Sequence, residues 1–428
     1  MKFGYTEDEV HEYMYAKGIE ALIVDSKELD DALSAGAHLA LGADDDNPEG
    51  EEFALWKIIK QRVIERIERI HLSVRYGSFI GTKVKLPIDG SRPMELDLLG
   101  AHEDGIFVLE LKVDRSSERN AFSELLAYSH YIAQMFAMSG PEDITNILVA
   151  PMDVKITRQA FLYDLIVANR NVIVYNPVLR DGTLNSLELQ LFVPTDEEFR
   201  FFANRLLSHD AMTCVVASFP DLDGWYDSKG ASVNDYTKHF LGGLAGYASQ
   251  LMEAEQLHGF SYIRKYWPEL PFQYKNALIL CAINPFFVAD TDRADAITEQ
   301  LTEDGVSALL ENPAYSFTGR LIRLAQRAIG DSLAHGQRSE IDIPHWPSMI
   351  RSIVETATCT NFAFRPTGLF REAYVAYINR LHEQNESIHR HDLSKVKGDD
   401  INSWLRAWMF MEMCGFDESQ EFEEESED

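Results

Sequence analysis

The sequence predicts an α/β core, a mixed sheet flanked by helices, in its first half and a mainly α-helical second half. Three observations carry this. Two short apolar runs, Met94–Leu99 and Ile106–Val113, are joined by a turn at His102–Gly105 whose Asp-Gly pair favours a hairpin. A third apolar run, Ile144–Ala150, follows a crossover long enough for parallel pairing. From Tyr236 onward the apolar residues recur mostly at helical spacing, with few convincing strands between them.

Composition bounds the possibilities. A chain of 428 residues suggests two or three domains, and 46% hydrophobic content gives an ample core. No run of eighteen apolar residues occurs, which argues against a membrane span, and the acidic N-terminus has no apolar leader. Cys214, Cys281, Cys359 and Cys414 lack CxxC spacing and read as buried free thiols, so a reducing cytoplasm is expected. The net charge of −30, from 69 acidic against 39 basic residues, is the reverse of what unaided phosphate binding requires. Any nucleic-acid partner therefore needs locally concentrated cations or a protein partner that supplies affinity. Oligomeric state is left open.

In chain order, Thr6–Glu9 is a capping box that starts a helix ended by Gly18. Ile19–Val24 is expected as a short strand and Ser26–Ser34 as a helix, completing an N-terminal helical extension over residues 1–50. Gly36–Gly50 reads as an acidic loop; its Asp44-Asp45-Asp46 lacks the spacing of a calcium loop. Glu51 to about Ser73 is an amphipathic helix with Leu55, Ile59, Val63, Ile67 and Ile70 on one stripe. Its cations, Lys57, Lys60, Arg62, Arg66 and Arg69, form either a solvated face balanced by Glu65 and Glu68 or a phosphate-tracking face. Phe79–Ile88 supplies the first strand, with Lys83 and Lys85 on one face. After the hairpin come a helix over AFSELLAYSHYI, the strand Ile144–Ala150, a helix from Thr157 to about Ala168, a strand Val172–Tyr175 and an edge strand Leu187–Val193.

The hairpin is where pattern and charge conflict. Period-2 alternation puts Glu110 and Lys112 on one face while Leu109 and Leu111 point into a core. Charge in such a strand is costly unless it is paired, bound to a metal or near water. Asp97 lies on the adjacent strand, across one turn. Two carboxylates and a main-chain carbonyl such as that of Leu111 make the hard oxygen set that Mg²⁺ prefers, and Lys112 is placed to position a nucleophile or neutralise developing charge.

Asp-x₁₂-Glu-x-Lys on a hairpin followed by a helix resembles the PD-(D/E)xK, restriction-endonuclease-like, nuclease superfamily, over roughly residues 50–194. The resemblance implies a restriction-endonuclease-like core and metal-dependent phosphodiester hydrolysis in DNA, in defence or repair, with Mg²⁺ or Mn²⁺. By it Asp97, Glu110 and Leu111 would hold the metal and Lys112 would be catalytic. Glu124 and Tyr128 would support them, standing where related nucleases often carry Gln-x₃-Tyr. Glu51 or Glu52 would be the glutamate often found on the first helix, with Glu52 taken as supporting. Lys83, Lys85, Arg115 and Arg119 are the cations assigned to nucleic acid. The chain departs from the family pattern twice: Glu124 replaces Gln, and Leu96-Asp97 replaces Pro-Asp. The alternatives are an inactive scaffold on the same fold and an RNA-cleaving version of the site.

Residues 195–235 read as a linker region holding a short helix, Asp196–Leu207, and residues 236–416 as a mainly helical recognition or assembly domain. Its helices are expected at Tyr236–Glu255, Phe272–Ile283, Thr298–Leu310, Thr318–Ile329, Trp346–Thr356, Leu369–Glu383 and Ile401–Met413. Leu241–Gly246 lacks the Lys-Ser/Thr of a P-loop. His382, His389, His391 and Asp392 fall in a polar loop, and Trp404 and Trp408 read as core anchors. In Asp417–Asp428 eight of twelve residues are acidic and none basic, so this tail is expected to be disordered.

Overall fold

The computed structural model describes residues 4–36, 55–87, 93–113, 118–136, 140, 142–203, 211–220, 235–264, 270–288, 291–333, 339–346, 349, 361–372 and 374–375. Glu52, Arg115, the Asp44–Asp46 loop, His382, His389, His391, Asp392, Trp404, Trp408, Cys359, Cys414 and the acidic tail lie outside these residues. The chain divides into two compact units, one of Met1–His38 and Ile59–Arg200, the other of Leu39–Ile58 and Phe201–Asp428.

The first unit opens on helix α1 (Glu7–Lys17), where Thr6 and Glu9 form the expected capping box and Gly18, at φ +81°, ends the helix. Helix α2 (Lys27–Gly36) and the long α3 (Leu55–Arg75) follow. The predicted stripe of α3 is buried at Ile59, Val63, Ile67 and Ile70. Then come β1 (Ser78–Leu86), β2 (Met94–His102), β3 (Gly105–Leu111), α4 (Ala121–Ala133), β4 (Ile144–Val149), α5 (Lys155–Leu162), β5 (Val172–Leu179), β6 (Leu187–Leu191) and α6 (Asp196–Ala203). The six strands lie in sequence order, β1 to β6. Pairs β3–β4 and β4–β5, whose crossovers carry α4 and α5, are parallel; the remaining pairs are antiparallel. This is the expected mixed sheet flanked by helices.

Gly100 is needed on β2 because Phe107, its partner on β3, lies over it: a Cβ there would overlap the Phe107 ring. That ring also meets Phe79 edge-on at 5.9 Å, tying β1 into the hairpin. Two local expectations change. Ile19–Val24 is a turn with a single bridge, Ile23 to Leu189, because the extended run is too short to form a ladder. Arg66 on α3 belongs to neither reading of the basic helix. It is buried and donates to the Leu165 carbonyl at 3.2 Å and to Asn169, bracing the π-helical turn Tyr163–Val167. Lys60 is ion-paired with Asp196 at 2.7 Å.

The second unit is built on a sheet that periodicity does not reveal. Its elements are β7 (Met212–Phe219), α7 (Asp235–Ala254), β8 (Gly259–Arg264), β9 (Asn276–Ile283), α8 (Thr291–Thr298), α9 (Glu303–Ser332), β10 (Ile341–Asp342) and β11 (Asn361–Thr367). The strands run in the order β10-β7-β9-β8-β11, and every pair is antiparallel. The mainly helical reading therefore holds for α7 and α9 but not for the core between them, and the linker region contains β7. The predicted helix Phe272–Ile283 is instead the central strand β9. Its run NALILCAI is buried along its whole length, and a continuous apolar run has no periodicity to separate strand from helix. Leu241, Leu244, Leu321 and Leu324 from α7 and α9 pack on Val215, Leu278 and Leu280 of the sheet. Thr298–Leu310 and Thr318–Ile329 belong largely to one helix, α9, which runs through Pro313. Cys214 and Cys281 are buried free thiols on facing positions of β7 and β9, as expected. No helix among the described residues is long and apolar enough to cross a membrane.

Candidate active site

The site is assembled by strand register. Leu99 pairs with Val108 and Leu98 with Leu109, so the next step of the same ladder sets Asp97 opposite Glu110. Alternation then separates two faces. Leu96, Leu98, Leu109 and Leu111 are fully buried on one, while Asp97, Glu110 and Lys112 share the other. The Lys112 N–H donates to the Val149 carbonyl at 2.8 Å, which extends the β3–β4 pairing past the end of the strand and fixes where the lysine leaves it. Asn146 of β4 accepts a hydrogen bond from Ser129 of α4, which lays α4 over this charged face.

The resulting contacts are close. Lys112 Nζ is ion-paired with Glu110 Oε1 and, at 2.8 Å, with Glu124 Oε2 of α4. Asp97 Oδ2 accepts the Leu111 N–H at 2.9 Å. The Tyr128 hydroxyl, one turn beyond Glu124, donates to the Glu95 carbonyl at 2.9 Å and so anchors α4 to β2 beside Asp97. Glu110 and Lys112 are only 3% and 8% exposed, in a place where ionised groups are costly without partners. The second carboxylate oxygen of Glu110, Oε2, is buried, and no hydrogen-bond donor reaches it while the neighbouring carboxyls are ionised.

Charge follows from this crowding. Burial, then the neighbouring Asp97 carboxylate, pushes the Glu110 carboxyl up to about 9, against a partial opposing pull from Lys112. The nearby Glu124 carboxylate adds to the rise, because a hydrogen bond between two carboxyls needs a shared proton. Burial also raises Asp97, partly offset by the Leu111 N–H and by Lys112. Burial alone would lower Lys112, but the carboxylates of Glu110 and Glu124 more than reverse it and hold the ammonium charged. Tyr128 is raised by burial and by Glu110, so its hydroxyl stays a donor. The cluster therefore has more negative charge than its one cation balances. Either a proton or a small hard cation relieves it.

The structure thus brings together Asp97, Glu110, Leu111, Lys112, Glu124 and Tyr128. Leu111 reaches the cluster through its N–H, whereas the sequence pattern points to its carbonyl. The cations assigned to nucleic acid are more dispersed. Lys83 and Lys85 are exposed on β1, the strand beside Asp97, but Lys83 is ion-paired with Asp8 of α1 at 2.7 Å. Arg119 is exposed in the short turn before α4. His11 is an addition that sequence reasoning does not supply. Its buried ring lies 3.0 Å from the Asp97 carbonyl and 3.2 Å from the Thr82 hydroxyl, pinning α1 to the site strand. Glu118 is another: its buried carboxylate accepts the Val154 N–H at 3.1 Å and fixes the approach to α4. No sequence signal links His11 to Asp97, because the two are brought together only by folding.

Among the described residues no group of three or more His, Cys, Asp or Glu side chains is arranged to hold a metal ion. Comparison with family models, curated proteins and solved structures finds no match.

Proposed function

We propose that this chain is a divalent-metal-dependent nuclease of the PD-(D/E)xK type, with a restriction-endonuclease-like first unit, that hydrolyses phosphodiester bonds in DNA. One observation carries the reading: Asp97, Glu110 and Lys112 share one face of adjacent strands beneath α4, where Lys112 contacts both Glu110 and Glu124. A purely structural hairpin gains little from burying two ionisable side chains, Glu110 and Lys112, beside a half-buried third, Asp97.

The residues suit Mg²⁺ or Mn²⁺. Mg²⁺ is commonly held by one or two carboxylates together with water and substrate phosphate, so a protein cage of three side chains is not required. Asp97 and Glu110 would hold the ion, and the unpartnered Glu110 Oε2 is the oxygen left over for it. When bound, the ion would polarise the phosphate and lower the pKa of a water. The chain's own groups do the rest. Lys112, kept charged by its carboxylate partners, sets an ammonium beside the reacting phosphate and stabilises charge that develops on its oxygens. Glu124 holds that ammonium in place from α4, and Tyr128 fixes α4 through the Glu95 carbonyl. The Leu111 N–H and the His11 ring set the orientation of Asp97 and its strand.

A second reading, an inactive scaffold that keeps this fold, is favoured by the net charge of −30, which opposes unaided DNA binding. Incubating the purified chain with single-stranded, duplex and branched DNA, and with RNA, in Mg²⁺, Mn²⁺ or EDTA separates the readings. Cation-dependent DNA cleavage that disappears in Asp97→Asn and Glu110→Gln supports the proposal. Cleavage of RNA alone makes the enzyme a ribonuclease. Cation binding without cleavage of any substrate favours the scaffold.

A further inference from the structure

Helix α8 buries none of its residues, and in α9 the first buried residue is Phe317, fourteen positions after the helix begins at Glu303. Helix α8 and the first fourteen residues of α9 thus form helix with no fully buried residue. The exposed half of α9 alone extends about 21 Å at 1.5 Å per residue. Short helices are marginal in water unless a face is buried or the ends are well capped. Here the start of α9 is capped. Thr302 accepts the Gly305 N–H at 3.2 Å on its side chain and the Val306 N–H at 2.9 Å on its carbonyl. Glu303 and Asp304 then follow in the first turn, where negative charge is favoured. Between the two helices, Gln300 N–H bonds to the Ile297 carbonyl and Leu301 N–H to that of Thr298, at 3.1 and 3.0 Å. Pro313, which has no N–H for the helix ladder, sits one turn before Phe317, where the free half meets the anchored half.

This arm presents large apolar side chains to solvent: Ile297, Leu301, Leu309 and Tyr315 are 52%, 42%, 42% and 77% exposed. Its charge is one-sided. Asp292, Asp295, Glu299, Glu303, Asp304 and Glu311 oppose Arg293 alone. Exposed apolar side chains set among acidic ones suit a partner whose surface is apolar and positively charged. A second copy of this chain would bring like charges together, since each copy carries a net −30.

We propose that α8 and the exposed half of α9 form a docking arm for a basic protein surface, an apolar groove rimmed by lysine and arginine. This goes beyond the nuclease reading and does not depend on it. A partner of that chemistry would also bring the positive charge that this chain lacks for contact with nucleic acid.

The test uses the full chain and, as probe, a fluorescent amphipathic helical peptide with leucine on one face and lysine on the other, followed by anisotropy at physiological salt. The combined variant I297S/L301S/L309S/Y315S keeps every charge and alters only exposed side chains. It should weaken binding by at least about tenfold, since each buried apolar side chain contributes on that scale. D295N/E299Q/E311Q, which keeps the apolar residues, should weaken binding too and flatten its salt dependence. Circular dichroism and melting of both variants should match the parent, because none of these residues is buried. Equal binding by the apolar variant and the parent, or no binding of the probe at all, overturns the proposal. A parent that sediments as a dimer while the apolar variant is monomeric overturns it as well, by assigning the arm to a second copy.

Discussion

Replacing Glu110 by Gln keeps the shape of the side chain and removes its titration, which isolates the electrostatic cost of the site. The carboxyl titrates near 4.5 in an unfolded chain, and burial beside Asp97 raises it to about 9 in the fold. Between those limits the unfolded chain has released a proton that the folded chain retains. The stabilisation from this group is therefore complete below pH 4.5 and is lost as pH rises through about 9. The slope for one such proton is about 1.4 kcal/mol per pH unit, or ~3 kcal/mol between pH 6 and pH 8. In Glu110→Gln that slope vanishes. Native-state hydrogen exchange of β2 and β3 peptides reads the opening of the first unit alone. Measured in EDTA from about pH 5 to about pH 9, the difference between parent and variant cancels the titrating groups remote from Glu110 and leaves the cluster around it. The parent should lose stability relative to Glu110→Gln as pH rises, and saturating Mg²⁺ should restore the parent because the cation takes the place of the proton. Parallel profiles in EDTA would refute both the burial argument and the crowding of carboxylates inferred from it.

Lys112→Ala should retain divalent-ion binding by calorimetry while cleavage falls about 10²- to 10³-fold, the scale of removing one charge-stabilising group. Tyr128→Phe, which deletes only the hydrogen bond to the Glu95 carbonyl, should lower the stability of the first unit by about 1 kcal/mol in denaturant titration. Gly100→Ala should cost about 1–3 kcal/mol or more in the same titration, because the new methyl overlaps the fully buried Phe107 ring, which has nowhere to move. His11→Gln, whose amide can still reach the Asp97 carbonyl, should bind divalent ions as the parent does, whereas His11→Ala should bind them more weakly in calorimetry.

The hairpin, and which of its side chains share a face, are legible in the amino-acid sequence. Both depend on local rules: the tight turn at His102–Gly105 makes the connection, and period-2 alternation separates Leu109 and Leu111 from Glu110 and Lys112. The four-residue spacing of Glu124 and Tyr128 likewise places them on one helix face by local geometry alone. Partners across long separations are set only by folding. His11 reaches the Asp97 carbonyl from 86 residues away, and Arg66 is drawn inside by the Leu165 carbonyl of a π-helical turn about a hundred residues later. Long-range packing also makes the second unit what it is. The apolar run Asn276–Ile283 is a central strand because β7 and β8 flank it and helices α7 and α9 pack on its sheet, none of which is written in the run itself. Periodicity records which face of an element meets water, so it specifies half-buried elements such as β2 and is silent for those buried on every side.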